Sequence, residues 1–148
     1  MPSFDIKEAT TDTDIARLYS VMRELRPHIK TAAELVERVW RQQRIAKYRL
    51  VYVEDAGETV ACSGFRITEF PYAGKVLYVD DLICLENHRG KGFAEALMVW
   101  MEQLARAEEC DEFHLDSGTH RLAAHRFYHC LKLAITSFHF TRKLAPNA

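Results

Sequence analysis

Neither sign of charge dominates this 148-residue chain: 20 Lys and Arg against 21 Asp and Glu give a formal net charge of −1. That balance removes the global electrostatic footprint of a nucleic-acid binder. No apolar run approaches the eighteen or more residues of a membrane span. Residues 1–11 have no signal-peptide core, so a cytoplasmic protein is expected. The four cysteines, Cys62, Cys84, Cys110 and Cys130, are widely spaced and form no C-x-x-C pair. A disulfide framework does not suit a chain of this size without a secretory signal, and the cysteines read as reduced thiols. His125 and His129 stand at i, i+4, but there is no H-E-x-x-H pattern, and no metal site is expected. Repeats, low-complexity segments and linkers are absent. The expectation is one domain, 1–148, large enough to bury roughly two thirds of its unfolded surface.

What is present is an alternation of strand and helix patterns. Residues 3–8 alternate as a short strand. Ile15, Leu18, Met22 and Leu25 recur at helical spacing after Thr11 and Asp12, the two cap candidates, and Pro27 ends that helix. Thr31 with Glu34 three residues on has capping-box spacing before a second helix. From residue 48 the period changes. Residues 49–55 and 59–70 read as a hairpin around Ala56-Gly57, and 75–85 as a third strand. A strong amphipathic helix begins near Phe93, a strand carries Phe113 and Leu115, residues 122–131 are helical, and 135–143 alternate as a last strand. The predicted order is β-α-α-β-β-β-α-β-α-β, an α/β (α+β) fold with a mixed central sheet.

The segment 88–97, HRGKGFAEAL, lies between the third strand of that run and the amphipathic helix. Arg89, Gly92 and Ala94 occupy the fixed positions of an R-x-x-G-x-[G/A] loop. A helix start leaves its first N–H groups without partners, and those donors with the positive end of the helix dipole suit an anion. Gly90 and Gly92 allow a tight turn and a close backbone approach, and Arg89 and Lys91 add charge. The spacing fits neither a Walker loop nor the G-x-G-x-x-G of a dinucleotide fold.

Together with YVDDLIC at 78–84 and LDSGTHRLAAHRFY at 115–128, this loop resembles the acetyl-CoA signature of the GNAT superfamily of N-acetyltransferases. The resemblance implies a sheet whose fourth and fifth strands are parallel neighbours that splay apart, the gap receiving the pantetheine arm of acetyl-CoA. It implies that Leu82, Ile83 and Cys84 offer backbone bonds to that arm. Arg89, Gly90, Lys91, Gly92, Phe93 and Ala94 would hold the pyrophosphate. Two positions depart from the common pattern: Arg121 stands where many members carry Asn, and Lys132 replaces the Gly of F-Y-x-x-x-G-F. Arg121 then offers a cationic contact to cofactor phosphate or to substrate. The C-terminal half is similar to aminoalkylphosphonate N-acetyltransferases, which implies a small acceptor carrying both an amine and an anion. Family members often dimerise, and the last strand is a candidate for exchange or pairing between two copies.

Transfer of an acetyl group from a thioester to an amine needs the ammonium to lose its proton and the leaving thiolate to gain one. Ala124, Phe127 and Tyr128 match the family's A-x-x-F-Y, which makes Tyr128 the acid candidate, with an ordinary phenol pKa near 10. Asp80 and Asp81 are the base or ammonium-binding candidates. Neighbouring strand residues face opposite sides, so alternation lets only one of them enter a given cleft. Asp116, Glu69 and His120 follow in order. The expected activity is direct transfer in a ternary complex to a primary amine, with acetyl-CoA as cosubstrate and a small molecule as acceptor. A non-catalytic acyl-CoA-binding or partner-regulating module, and a protein N-acetyltransferase, are the alternatives.

Overall fold

The structure is a computed structural model that describes residues 3–145. The chain divides into two compact units, with the boundary between Leu115 and Asp116.

The first unit is a five-stranded mixed sheet in sequence order. β1 (Ile6–Glu8), β2 (Arg49–Asp55), β3 (Glu58–Phe70) and β4 (Gly74–Cys84) pair antiparallel in succession, and β5 (Glu112–Leu115) runs parallel to β4. The β2–β3 connection is the two-residue turn read from Ala56-Gly57. Both residues have positive φ, 50° and 80°, as a turn matching strand twist requires.

Three helices precede β2 where the sequence pattern predicted two. Thr11 caps α1 (Asp12–Arg17) by accepting a bond from the Asp14 amide at 3.1 Å. Leu18 then donates its amide to Ile15 only three residues back, and α2 (Tyr19–Leu25) starts afresh. The apolar spacing is unaffected, and Ile15, Leu18 and Met22 all reach the core. Thr31 caps α3 (Ala32–Ala46), accepting from the Glu34 amide at 3.0 Å, while the Glu34 carboxylate accepts from the Lys30 amide at 2.9 Å. α1 to α3 form one continuous core with Tyr48, just ahead of β2, and with Leu50, Tyr52, Cys62 and Ile83 of the sheet. On the other face, α4 (Phe93–Ala107) buries Leu97, Met98 and Met101, the apolar stripe its periodicity predicts.

The second unit holds α5 (Leu122–Cys130) and the chain beyond it. Here the sequence reading needs correction. Residues 135–143 form no strand, and Ile135, Phe138, Phe140 and Leu144 are exposed, the last two at 92%. Alternation specifies an extended backbone, but a strand also needs a neighbour to share its hydrogen bonds, and alternation names none. The end of α5 brings a further result. Lys132 adopts φ 63°, the conformation usually left to glycine. Its amide donates to His129 O and that of Leu133 to Tyr128 O, which completes a Schellman closure around a lysine.

No helix among the described residues is long and apolar enough to cross a membrane.

Candidate acyl-transfer site

β4 leaves its parallel partner early. The ladder to β5 runs from Val76↔Glu112 to Val79↔Leu115 and stops there, while β4 continues to Cys84 against β3. Leu82, Ile83 and Cys84 are thus paired on the β3 side, opposite Ser63, Cys62 and Ala61, and no β5 ladder reaches them on the other. Their outward backbone groups are the kind an extended ligand can pair with.

The loop that follows is shaped for an anion. A single 3-10 turn (Glu86–His88) leads into Arg89, whose Nε donates to Cys84 O at 3.3 Å and ties the loop to the end of β4. His88 lies 3.4 Å from Glu58 and packs on Phe93, which joins the loop to the β2–β3 hairpin and to α4. Gly90 and Gly92 have φ of 78° and 92°. A Cβ at Gly90 would meet nothing within 4 Å, so its backbone conformation and open approach favour glycine there, not crowding by protein. Gly92 caps α4 with no side-chain bond, which leaves the first amides of the helix without a side-chain partner beside exposed Arg89 and Lys91. Phe93, the first residue of α4, is buried against Phe4, and Ala94 follows it with a small side chain. These residues fit the pyrophosphate of a coenzyme A thioester. Burial raises the Cys84 thiol above its ordinary value despite Arg89 and Lys91, which argues against a nucleophile at that position.

Upstream of the loop the two carboxylates are held in a network. Gly64 pairs with Asp81 and Phe65 with Val79, so Asp80 is the extra residue of a bulge in β4. The bulge breaks strict alternation, and groups on one sheet face, shared by Gly64 and Arg66, engage both side chains. Arg66 grips Asp80 through two bonds, at 2.9 and 2.8 Å, and lies over the Tyr78 ring. Asp81 accepts from Arg26 Nε at 2.8 Å and from the Tyr48 hydroxyl at 2.7 Å, and Arg26 also donates to Asp80 O at 3.0 Å. Ser63 donates to Asp81 O from within the sheet. Tyr48 is fully buried, and burial first, then Asp81, holds its phenol well above the ordinary value of 10.

Arg26, Tyr48, Gly64 and Arg66 were not legible as site residues. The one local signal was a glycine inside a strand pattern, which marks close approach of another group. A Cβ at Gly64 would fall on the Tyr48 phenol.

In the second unit, α5 carries Tyr128. Burial raises its phenol above the ordinary value, with Arg121 pulling the other way, so it stays protonated at neutral pH. Arg121 stands at the N-cap of α5 without a side-chain cap bond. Among the described residues, no three His, Cys, Asp or Glu side chains come together as metal ligands.

The parallel pair of β4 and β5 thus ends ahead of the glycine-rich start of α4. The sequence profile of the Acetyltransferase (GNAT) family matches residues 15–131, and the chain belongs to that family. It is 26% identical over 125 residues to the uncharacterized N-acetyltransferase YhdJ of Bacillus subtilis (strain 168), covering 83% of this chain and 86% of that one. Two solved structures share the fold. A transcriptional regulator from Bacillus halodurans C-125 superposes with a TM-score of 0.82 at 19% identity, covering 95% of this chain and 99% of that one. The aminoglycoside N-acetyltransferase AAC(6')-Iy in complex with CoA gives 0.79 at 17% identity, covering 96% and 95%.

Proposed function

We propose that this protein is an acetyl-CoA-dependent N-acetyltransferase that acetylates a primary amine of a small molecule by direct transfer in a ternary complex. The observation that carries the reading is the continuity of the β4 edge, bare of β5 beyond Val79, with the uncapped glycine start of α4. Arg89, Gly90, Lys91, Gly92, Phe93 and Ala94 hold the pyrophosphate, and the backbone of Leu82, Ile83 and Cys84 aligns the pantetheine. The names of YhdJ and of the aminoglycoside enzyme support an amine acceptor.

Bound acetyl-CoA supplies an acetyl group on a leaving group that departs as a thiolate. Asp80 and Asp81 draw the acceptor ammonium to the bulge of β4, and its proton leaves to a carboxylate or through water. Each carboxylate oxygen already accepts one bond and keeps a second lone pair for this role. The amine lone pair then forms the N–C bond as the C–S bond breaks. Tyr128 gives the departing sulfur its proton and is recharged from solvent; burial keeps its phenol in the protonated form that this step needs. Arg121 supplies, by the family resemblance, a cationic contact to a cofactor phosphate or to an anion on the acceptor.

The experiment is thermal unfolding with and without acetyl-CoA. At about one hundred times its dissociation constant the ligand stabilises the native state by roughly 2.7 kcal/mol. A rise in Tm that Gly92→Asp removes, together with acetylation of an amine, sustains the proposal. A rise without turnover on small amines or peptides makes the chain a binding module, and turnover on peptides alone makes it a protein N-acetyltransferase.

We also propose a homodimer. Phe138 and Phe140, exposed at 85% and 92%, lie on a C-terminal segment with strand alternation, and burial against a second copy removes that apolar surface from water.

A further inference from the structure

The face of the sheet that carries Asp81 continues, beyond Arg66 and Tyr78, into a cluster of rings. Arg66 is opposite Tyr78, Tyr78 is opposite His114, and Phe70 is opposite Gly74, so Gly64, Arg66, Phe70, Tyr78 and His114 share one face. The Phe70 and His114 rings are nearly parallel, 12° apart with centroids 6.3 Å from each other. Tyr72 lies 5.5 Å from Phe70 and 6.2 Å from His114, inclined by 37° and 28°. Tyr78 meets the His114 edge at 6.4 Å. These rings make a platform, not a core: Tyr72 is 77% exposed.

The turn that presents Tyr72 is fixed from both ends. The Ala73 amide donates to Phe70 O at 3.2 Å. Gly74 has φ 78° and sits so close to the Asp111 carboxylate that a Cβ would collide with it. Asp111 in turn accepts the Lys75 amide at 2.9 Å. A tyrosine held in water by a rigid turn loses little freedom when a ligand stacks on it.

Charge selects the ligand. Glu69, Glu108, Asp111 and Glu112 surround this end of the sheet; the basic residues beside them are Lys75, opposite Glu69 and bonded to Glu108 O, and Arg66, which lies over Tyr78 with its charge paired to Asp80. Glu112 pairs with His114 Nε2 at 2.5 Å, and its side chain is half exposed to solvent. Ring faces and surplus carboxylates both attract a cation and repel a phosphonate or carboxylate.

We infer that Phe70, Tyr72, Tyr78, His114 and Glu112 form a distal subsite for a second cationic group of the acceptor, remote from the nitrogen that is acetylated. The inference rests on the acetyl-transfer reading for the location of the reacting amine. At about 3.3 Å per strand residue, the platform extends from roughly 7 to 20 Å along β4 from Asp80. An acceptor that uses both places is long and polycationic.

The test is titration calorimetry of spermine and, separately, of 2-aminoethylphosphonate into the full chain saturated with CoA, for wild type, Tyr72→Ala and Glu112→Gln. Spermine is expected to bind more tightly than the aminophosphonate. Each substitution is expected to weaken spermine about five- to tenfold, as loss of one cation contact implies, with little change for the aminophosphonate. Circular dichroism checks that the variants fold; Glu112→Gln preserves shape should Tyr72→Ala disturb the turn. Spermine that does not bind, that binds equally to folded variants, or that is outcompeted by the aminophosphonate overturns the subsite. An acetyl-CoA-dependent rise in Tm persists in that case, so failure of the subsite is distinct from failure of the acetyl-transfer reading.

Discussion

Tyr48 stands where a side chain on Gly64 would have to be, and from there its hydroxyl donates to Asp81 at 2.7 Å. A missing Cβ on β3 thus fixes a carboxylate on β4. Gly64→Ala is expected to displace the phenol and cost about 1–3 kcal/mol by overpacking. In a Tyr48→Ala background the same substitution loses most of that cost. Urea unfolding of the four proteins of the cycle measures it, and additive costs would break the link.

Tyr48 and Cys62 are buried and hold their protons more tightly folded than unfolded; burial is the larger cause for both, and Asp81 adds to it. The unfolded chain releases these protons near the ordinary values of 10 and 9. Their contribution to stability is therefore whole below about pH 8, and falls as pH rises through the ordinary values toward the folded-state ones. Urea midpoints under reducing conditions are expected to drop between about pH 8 and 10.5, and Tyr48→Phe is expected to flatten that drop relative to wild type. An equally steep drop in Tyr48→Phe would remove this tyrosine from the account.

Tyr128→Phe is expected to lower kcat by about 10²-fold or more, the usual contribution of a positioned acid, with little change in acetyl-CoA affinity. Asp80→Asn and Asp81→Asn separate the two carboxylates through their pH–rate profiles. The residue that accepts the proton loses its acidic limb. If both variants keep that limb, attention passes to Asp116, Glu69 and His120.

Lys132 holds a left-handed conformation at φ 63° that closes α5 just past Tyr128. Lys132→Gly is expected to stabilise the protein by up to about 1 kcal/mol, the Cβ strain relieved less the added freedom of glycine in the unfolded chain. A Tm below that of wild type would show that the lysine side chain contributes more than its backbone strain costs.

Replacing Phe138 and Phe140 by Asp is expected to convert a dimer into a monomer that still gains Tm with acetyl-CoA. Sedimentation equilibrium reads the mass. Wild type that is monomeric at tens of micromolar would overturn the proposed dimer.

Much of the fold could be read from local chemistry. Thr11 and Thr31 cap the helices they were expected to cap, and Ala56-Gly57 makes the expected turn. The stripe of Leu97, Met98 and Met101 faces the core, and Gly90 and Gly92 take the positive φ that the loop motif demands. Each of these is decided by neighbours a few residues apart. The break at Leu18 and the bulge at Asp80 were invisible, because either is compatible with the same apolar period or lies within a single strand pattern. The strand expected at 135–143 failed for a related reason, since the pattern carries no information about a pairing partner.

The sequence alone determined most of the element types, the glycine start of α4 and the family, because backbone preference, capping and glycine conformation act over short range. Tertiary structure decided that Asp81 is gripped by Arg26 and Tyr48, that Arg66 takes Asp80, and that four rings from three strands and a turn share one open face. Those contacts join residues as far as 55 positions apart. Strand register and the bulge set them, and register is a property of two chain segments together, which no single stretch of sequence specifies.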